Sequence, residues 1–189
     1  MSLLYYRARY TQGSFGAIKQ STMKKSIIIS LAALLFTFSG WAQNRKQDAQ
    51  AIEKQVDAMV ISWNNHDHSD MKNYTTPDCD WVNIVGMWWK NRKEVEFSTQ
   101  FYHDRMFKNT PMKKKNVAIR FISPTVALVH FTSHIGSFTT PDGHAMPEGD
   151  NLALLVYVKQ NGKWLMTAGE NVVVDPFAQK NAPAKFMPK

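Results

Sequence analysis

The sequence predicts an α+β fold, a cone-shaped α+β barrel in which three N-terminal helices pack on a curved antiparallel sheet. Three observations carry this reading. Apolar residues of the first half recur at helical spacing. Beyond Pro111 the period changes to two and stays so to residue 174. Between the two regimes lies a tryptophan-rich stretch, Asp80-Trp81-Val82-Asn83-Ile84-Val85-Gly86-Met87-Trp88-Trp89-Lys90-Asn91, that reads as strand, glycine turn and strand. Helices followed by a long antiparallel meander is the order of an α+β domain.

The first helix is expected over 48–64, because Ile52, Val56, Met59, Val60 and Trp63 form one apolar stripe. Asn64-Asn65-His66-Asp67-His68 ends it, since such side chains compete with the helix backbone for hydrogen bonds. Ser69 is placed to cap a short second helix that turns Met71 and Tyr74 inward and stops before Pro77. Alternation then puts Asp80, Val82 and Ile84 on one face of a strand and Trp81, Asn83 and Val85 on the other. Asn91 with Glu94 forms a capping arrangement for a third helix, expected to run to Asn109 with Val95, Ser98, Phe101 and Tyr102 facing inward. Four strands follow over 117–122, 125–138, 152–160 and 163–174, and Asn161-Gly162 is a strong hairpin signal between the last two. The tail 176–189, rich in Ala, Lys and Pro, reads as mobile.

The N-terminus reads as a leader. Met23-Lys24-Lys25 opens a charged region, residues 27–38 are apolar, and Ser39-Gly40-Trp41-Ala42 offers small residues before Gln43. This is the layout of a secretory signal peptide over 23–42, too short for a comfortable membrane span. Export to the periplasm or beyond, with cleavage after Ala42, is therefore expected. Residues 1–22 read as an over-extended start or an uninterpreted leader, 43–47 as a linker, and 48–175 as the folded domain.

The net charge of +8 is a property of the leader more than of the domain. Residues 1–42 hold five of the 23 basic side chains and none of the 15 acidic ones, leaving 18 against 15 in the remainder. That balance gives no reason to invoke nucleic acid. Cys79 is the single cysteine, so no internal disulfide is available and stability must come from a core.

These elements and their wording resemble the nuclear transport factor 2-like superfamily, and within it the SnoaL-like branch that includes the SgcJ/EcaC family. The matching residues are Ile52 with Trp63-Asn64, Asp80 to Gly86 with Trp88-Trp89-Lys90, His103-Asp104-Arg105-Met106-Phe107, Arg120 to His130, and Asn161-Gly162-Lys163-Trp164. Together they cover 48–174. The sequence departs from the family pattern at Asn91, where a glycine is common, and at Gly169-Glu170-Asn171, where many relatives carry a histidine. The resemblance implies a cone enclosing a cavity, and cyclases and isomerases of the superfamily use an acidic side chain inside it.

Candidate residues follow from both readings. Glu170, among apolar strand residues, and His130, mid-strand, are the candidate general bases. Trp63, Asn83, Trp88, Trp89, Phe101, His103 and Asn171 are the candidate cavity lining. His130 and His134 lie about 13 Å apart along a strand at ~3.3 Å per residue, too far to share a metal. His66-Asp67-His68 with Asp70 reads as a solvated helix cap. No phosphate loop, nucleophile elbow or cysteine pair is present, so no cofactor and no metal is expected. The expected partners are a small, partly apolar molecule and a second copy of the chain. The latter would cover the apolar alternation of Leu152, Leu154, Val156 and Val158.

The reading is thus a binding protein with an aromatic-lined cavity. The alternative is a cofactor-free isomerase or cyclase that uses a buried carboxylate or histidine. Glu170 and a histidine converging on one point of a cavity would favour the enzyme; aromatics without such a pair would favour binding.

Overall fold

The computed structural model describes residues 44–188. The described residues from Gln47 onward form one compact unit. The expected signal peptide and residues 1–22 lie outside the described residues. Helix α1 covers 44–65, so residues 44–47, expected as linker, are helical. Its predicted stripe is the buried one: Ile52 and Val56 are fully buried, and Met59 and Val60 pack against the same cluster. The helix closes in a Schellman arrangement, with Asp67 N donating to Ser62 O (3.3 Å) and His66 N to Trp63 O (3.1 Å). His66 takes the left-handed conformation this motif requires, at φ 55°.

A single 3₁₀ turn, Met71–Asn73, stands where a short helix was expected; Asp70 rather than Ser69 is its N-cap residue. Strand β1 (Thr75–Val82) and the two-residue β2 (Trp88–Trp89) form the tryptophan hairpin, with Trp81 opposite Trp89. Helix α2 (Arg92–His103) has the predicted cap: Asn91 Oδ1 accepts from Glu94 N at 3.1 Å. It ends six residues before the expected Asn109, because the chain turns back through 104–110 and places Phe107 against Trp63 and His103. Val95 and His103 are its buried residues; Phe101, expected inward, is 41% exposed.

The remaining strands are β3 (Met112–Ser123), β4 (Val126–Ile135), the short pair β5 (Phe138–Thr139) and β6 (Ala145–Met146), β7 (Gly149–Gln160) and β8 (Lys163–Val173). The main sheet has the order β2-β1-β8-β7-β4-β3 and does not close on itself. It was expected to be antiparallel, and it is mixed. Strand β1 pairs in parallel with β8, because the helical segment between β2 and β3 sends the chain across to the far edge before the meander begins. Between β7 and β8, Asn161 (φ 50°) and Gly162 (φ 79°) supply the two positive φ angles of the predicted hairpin turn. The tail expected to be mobile forms helix α3 (Pro176–Lys180), capped by Asp175, and a 3₁₀ turn, Pro183–Phe186.

One face of the sheet meets the helices. Ala127, Val129 and Phe131 of β4, Ala153, Leu155 and Tyr157 of β7, and Trp164 and Met166 of β8 are buried there with Ile52, Val56 and Cys79. Gly169 belongs to this face because Trp81 lies on it: a Cβ at 169 would come within 2.3 Å of the indole ring. The opposite face, carrying Leu128, His130, Leu154, Val156 and Glu170, has no helix on it among the described residues.

Candidate functional site

A buried polar cluster forms where the ends of α1 and α2 meet. The Schellman turn swings His66, Asp67 and His68 beneath the last turn of α2, and Gln100 clamps them there. Its Nε2 donates to His66 O (3.0 Å) and to Asp104 Oδ1 (2.8 Å), and its Oε1 accepts from His68 N (3.1 Å). His103 projects from α2 into the same space. Its Nδ1 is 3.0 Å from His66 Nδ1, so one of the two rings donates and the other accepts. The His68 and His103 rings meet edge to face at 4.4 Å, and Trp63 stacks edge-on against His103 at the same distance. Trp63 is fixed in turn by its Nε1–H, which donates to Thr110 O at 2.8 Å.

Burial sets the electrostatics of this cluster. His68 is 3% exposed and His103 1%. Desolvation of the charged form lowers His68 to about 4, against a partial upward pull from Asp70 and Asp67. It lowers His103 to about 3, assisted by the neighbouring imidazoles of His68 and His66. Both are neutral at physiological pH, able to donate or accept a hydrogen bond without carrying charge. Tyr74, buried under Met71 and Val95, has its phenol raised by desolvation and stays protonated. Next to it Ser62 Oγ donates to Asp70 Oδ1 at 2.7 Å. Two buried polar atoms of the cluster make no hydrogen bond, His68 Nε2 and His103 Nε2.

Two adjoining shallow clefts flank the turn 105–110, of about 340 and 310 Å3. They share Arg105, Met106 and Thr139; the second also reaches Lys108, Thr110 and Phe138. Phe107 stands between cleft and histidines, with ring centroids 4.8 Å from Phe138, 5.0 Å from Trp63 and 5.7 Å from His103. Arg105 lies over the Phe101 ring at 3.5 Å, so the rim is cationic while the interior is neutral and aromatic. Among the described residues no group of three or more His, Cys, Asp or Glu is arranged to hold a metal ion.

Of the residues singled out from sequence, Trp63 and His103 come together here. Phe101 lies on the exposed rim. Asn83 is occupied locally, its Oδ1 accepting from Val85 N (3.1 Å) and Met87 N (2.9 Å) across the glycine turn. Asn171 Oδ1 accepts from Trp81 Nε1 at 3.1 Å. Trp89 packs on the Met71–Tyr74–Val95 cluster, and Trp88 is 57% exposed with its Nε1 donating to Asp80 Oδ2. Glu170 and His130 are exposed on the helix-free face, both opposite Leu154 of the intervening strand, and do not reach the buried cluster.

His66, His68 and Tyr74 were not singled out as site residues. His66-Asp67-His68, expected as a solvated cap, has His68 buried and His66 half-buried. The available signal was Trp63 three residues before His66, an aromatic on the buried stripe of a helix whose end must then also turn inward.

A helix-covered, unclosed six-stranded sheet of this order defines a small α+β domain of the cystatin-like class. The comparisons carry it further. A protein with a cystatin-like fold from Caulobacter vibrioides is 30% identical, matched over 74% of this chain and 98% of its own, with a TM-score of 0.71. A nuclear transport factor 2-like superfamily protein from Salmonella enterica is 14% identical over 68% and 94%, TM-score 0.57. A ketosteroid isomerase-like protein from Erwinia carotovora is 16% identical over 67% and 96%, TM-score 0.55. No family model and no curated protein matches the chain. The chain belongs with the Caulobacter protein among proteins of cystatin-like fold, and it shares the fold of the nuclear transport factor 2-like protein.

Proposed function

We propose that this protein binds a small, partly apolar molecule at the joined ends of α1 and α2, its polar group engaging His103 and His68. The observation that carries this reading is the pair of buried imidazole nitrogens without partners, His68 Nε2 and His103 Nε2, on rings that meet at 4.4 Å. A buried donor or acceptor left unpaired costs about 1–3 kcal/mol, and a ligand with a hydroxyl or carbonyl removes that cost. Access runs from the clefts past Phe107, whose side chain has to rotate to admit a ring. The neutral imidazoles select against a charged group in the interior, while Arg105 and Lys108 tolerate one at the rim.

The test is titration with phenol, a minimal aromatic carrying one hydroxyl, followed by 15N shifts of the imidazole nitrogens. The reading expects a shift confined to His103 and His68 Nε2, and its loss in His103→Leu. Phenol that moves neither nitrogen, even when Phe107→Ala opens the path, refutes it.

A second reading is a cofactor-free isomerase or cyclase. The close approach of His66 Nδ1 and His103 Nδ1 favours it, since such a pair can pass a proton. On this geometry the proton carrier is the hydrogen-bonded His66–His103 pair, rather than Glu170 or His130 on the open face. The leader over 23–42 supports export, and the SgcJ/EcaC-type motifs support a place in that branch. The apolar open face supports pairing with a second copy.

A further inference from the structure

The outer side of α2 is aromatic where a solvated helix face is polar. Phe97 is 72% exposed and Phe101 41%, one turn apart on the same side of the helix. Their ring centroids stand 6.4 Å apart, and Phe101 meets Tyr102 edge to face at 5.8 Å. The Tyr102 hydroxyl donates to Met87 Sδ at 3.6 Å, which ties the helix to the turn between β1 and β2. In that turn Val85 is 70% exposed and Met87 41%. The two phenylalanines thus belong to one continuous apolar surface that stays open to solvent.

Cations stand at both ends of it. Lys93 is exposed one turn before Phe97, and the Arg105 guanidinium, just past the end of α2, lies 3.5 Å from the Phe101 ring centroid. Lys108 is exposed beyond it. None of these three makes an ion pair among the described residues. The acids on this side are folded back instead. The Glu94 carboxylate accepts from Lys90 N (2.8 Å) and Asn91 Nδ2 (3.0 Å) at the helix start, and that of Asp104 accepts from Gln100 Nε2 (2.8 Å).

We propose that this side of α2 docks on an anionic lipid surface, with Phe97 and Phe101 at the boundary of headgroups and acyl chains and Lys93, Arg105 and Lys108 on the lipid phosphates. Residues four apart on a helix drift by only about 40° per step, so Lys93, Phe97 and Phe101 lie along the axis over about 12 Å. A helix laid flat therefore presents all three at once. Rings at the centre and unpaired cations at the ends match the two layers of such a surface, one apolar and one negatively charged. The stacked Arg105 covers part of the Phe101 ring while keeping its charge at headgroup level. Arg105 also lines both clefts, so a lipid surface held by this stripe lies beside them.

Co-sedimentation of the protein purified from its own cells with lipid vesicles tests this. The wild type is expected to bind mixed phosphatidylcholine–phosphatidylglycerol vesicles, to lose that binding as salt is raised, and to bind pure phosphatidylcholine far more weakly. Phe97→Ser should weaken binding roughly tenfold and Phe97→Ser/Phe101→Ser roughly a hundredfold, since each ring returns to water. Lys93→Glu, a change of two charges, should weaken it roughly thirtyfold. All three positions are exposed, so circular dichroism of each variant should match the wild type, and Phe97→Ser alone carries the test where the double variant does not fold. A wild type that leaves both kinds of vesicle unbound overturns the proposal, as does one that binds both equally or is matched by Phe97→Ser. A wild type that ignores vesicles but self-associates until Phe97→Ser dissolves the complex assigns the stripe to a second copy of the chain and overturns the lipid reading.

Discussion

Acid should destabilise this protein well above the pH at which its carboxylates titrate. His68 and His103 have an ordinary value of 6.5 in the unfolded chain but about 4 and about 3 in the folded protein. Above pH 6.5 neither imidazole is charged in either state, and protons do not affect the balance. As pH falls below 6.5 the unfolded chain takes up a proton at each ring while the folded protein does not. Stability is then lost until the folded values are reached. Each group contributes up to ~1.4 kcal/mol per pH unit, so two groups remove about 5 kcal/mol between pH 6.5 and roughly 4.5. A domain of this size holds about 5–15 kcal/mol in total, so the loss decides whether it stays folded. His134 opposes this weakly, because Asp150 and then Glu148 raise it, but its ring is 31% exposed and screened. The lowered carboxylates of Asp67, Asp142 and Asp150 act only near and below their ordinary 3.8. Urea unfolding at pH 7 and at pH 4.5 measures the effect. The double variant His68→Gln/His103→Gln should lose most of the pH slope, whatever its absolute stability. A wild type that loses less than about 1 kcal/mol over that interval, or a double variant with the same slope, refutes the burial of two neutral imidazoles.

Other substitutions test the frame around the cluster. Gly169→Ala drives a methyl into the Trp81 ring at 2.3 Å and should cost about 1–3 kcal/mol of unfolding free energy. Asp48→Ala removes the acceptor of the buried Trp164 N–H (2.8 Å) and of Lys159 Nζ (2.7 Å), and should cost about 1–3 kcal/mol in the same assay. Cys79 is fully buried, and burial pushes its thiol up to about 12. It should therefore ignore thiol reagents in the native protein and react only at the rate of unfolding.

Much of the fold was legible because its signals are local. The stripe of α1, the Asn91–Glu94 cap and the Asn161-Gly162 turn each depend on neighbours a few residues away, and each formed as read. The parallel pairing of β1 with β8 was not legible, since it joins residues some ninety positions apart and no turn encodes it. The early end of α2 was missed because nothing in 104–109 breaks a helix; Phe107 leaves it to pack on Trp63 of a distant element. The candidate cluster, as a geometric feature, was legible in part. Trp63 and His103 were found through family-like wording and helical phase. Glu170 and His130 were singled out because strand alternation shows that two faces exist without saying which one the helices cover. His68 was read as solvent-facing because His-Asp-His-Ser is polar in composition, whereas the Schellman turn directs it inward.

The account rests on the buried histidines forming a small-molecule site. Native mass spectrometry of the protein purified from its own cells tests that most directly. The account predicts a small mass that survives desolvation, leaves on denaturation, and is lost in His103→Leu. A bare protein that binds nothing with or without His103 would contradict it, and would make the cluster a purely structural feature of the helix ends.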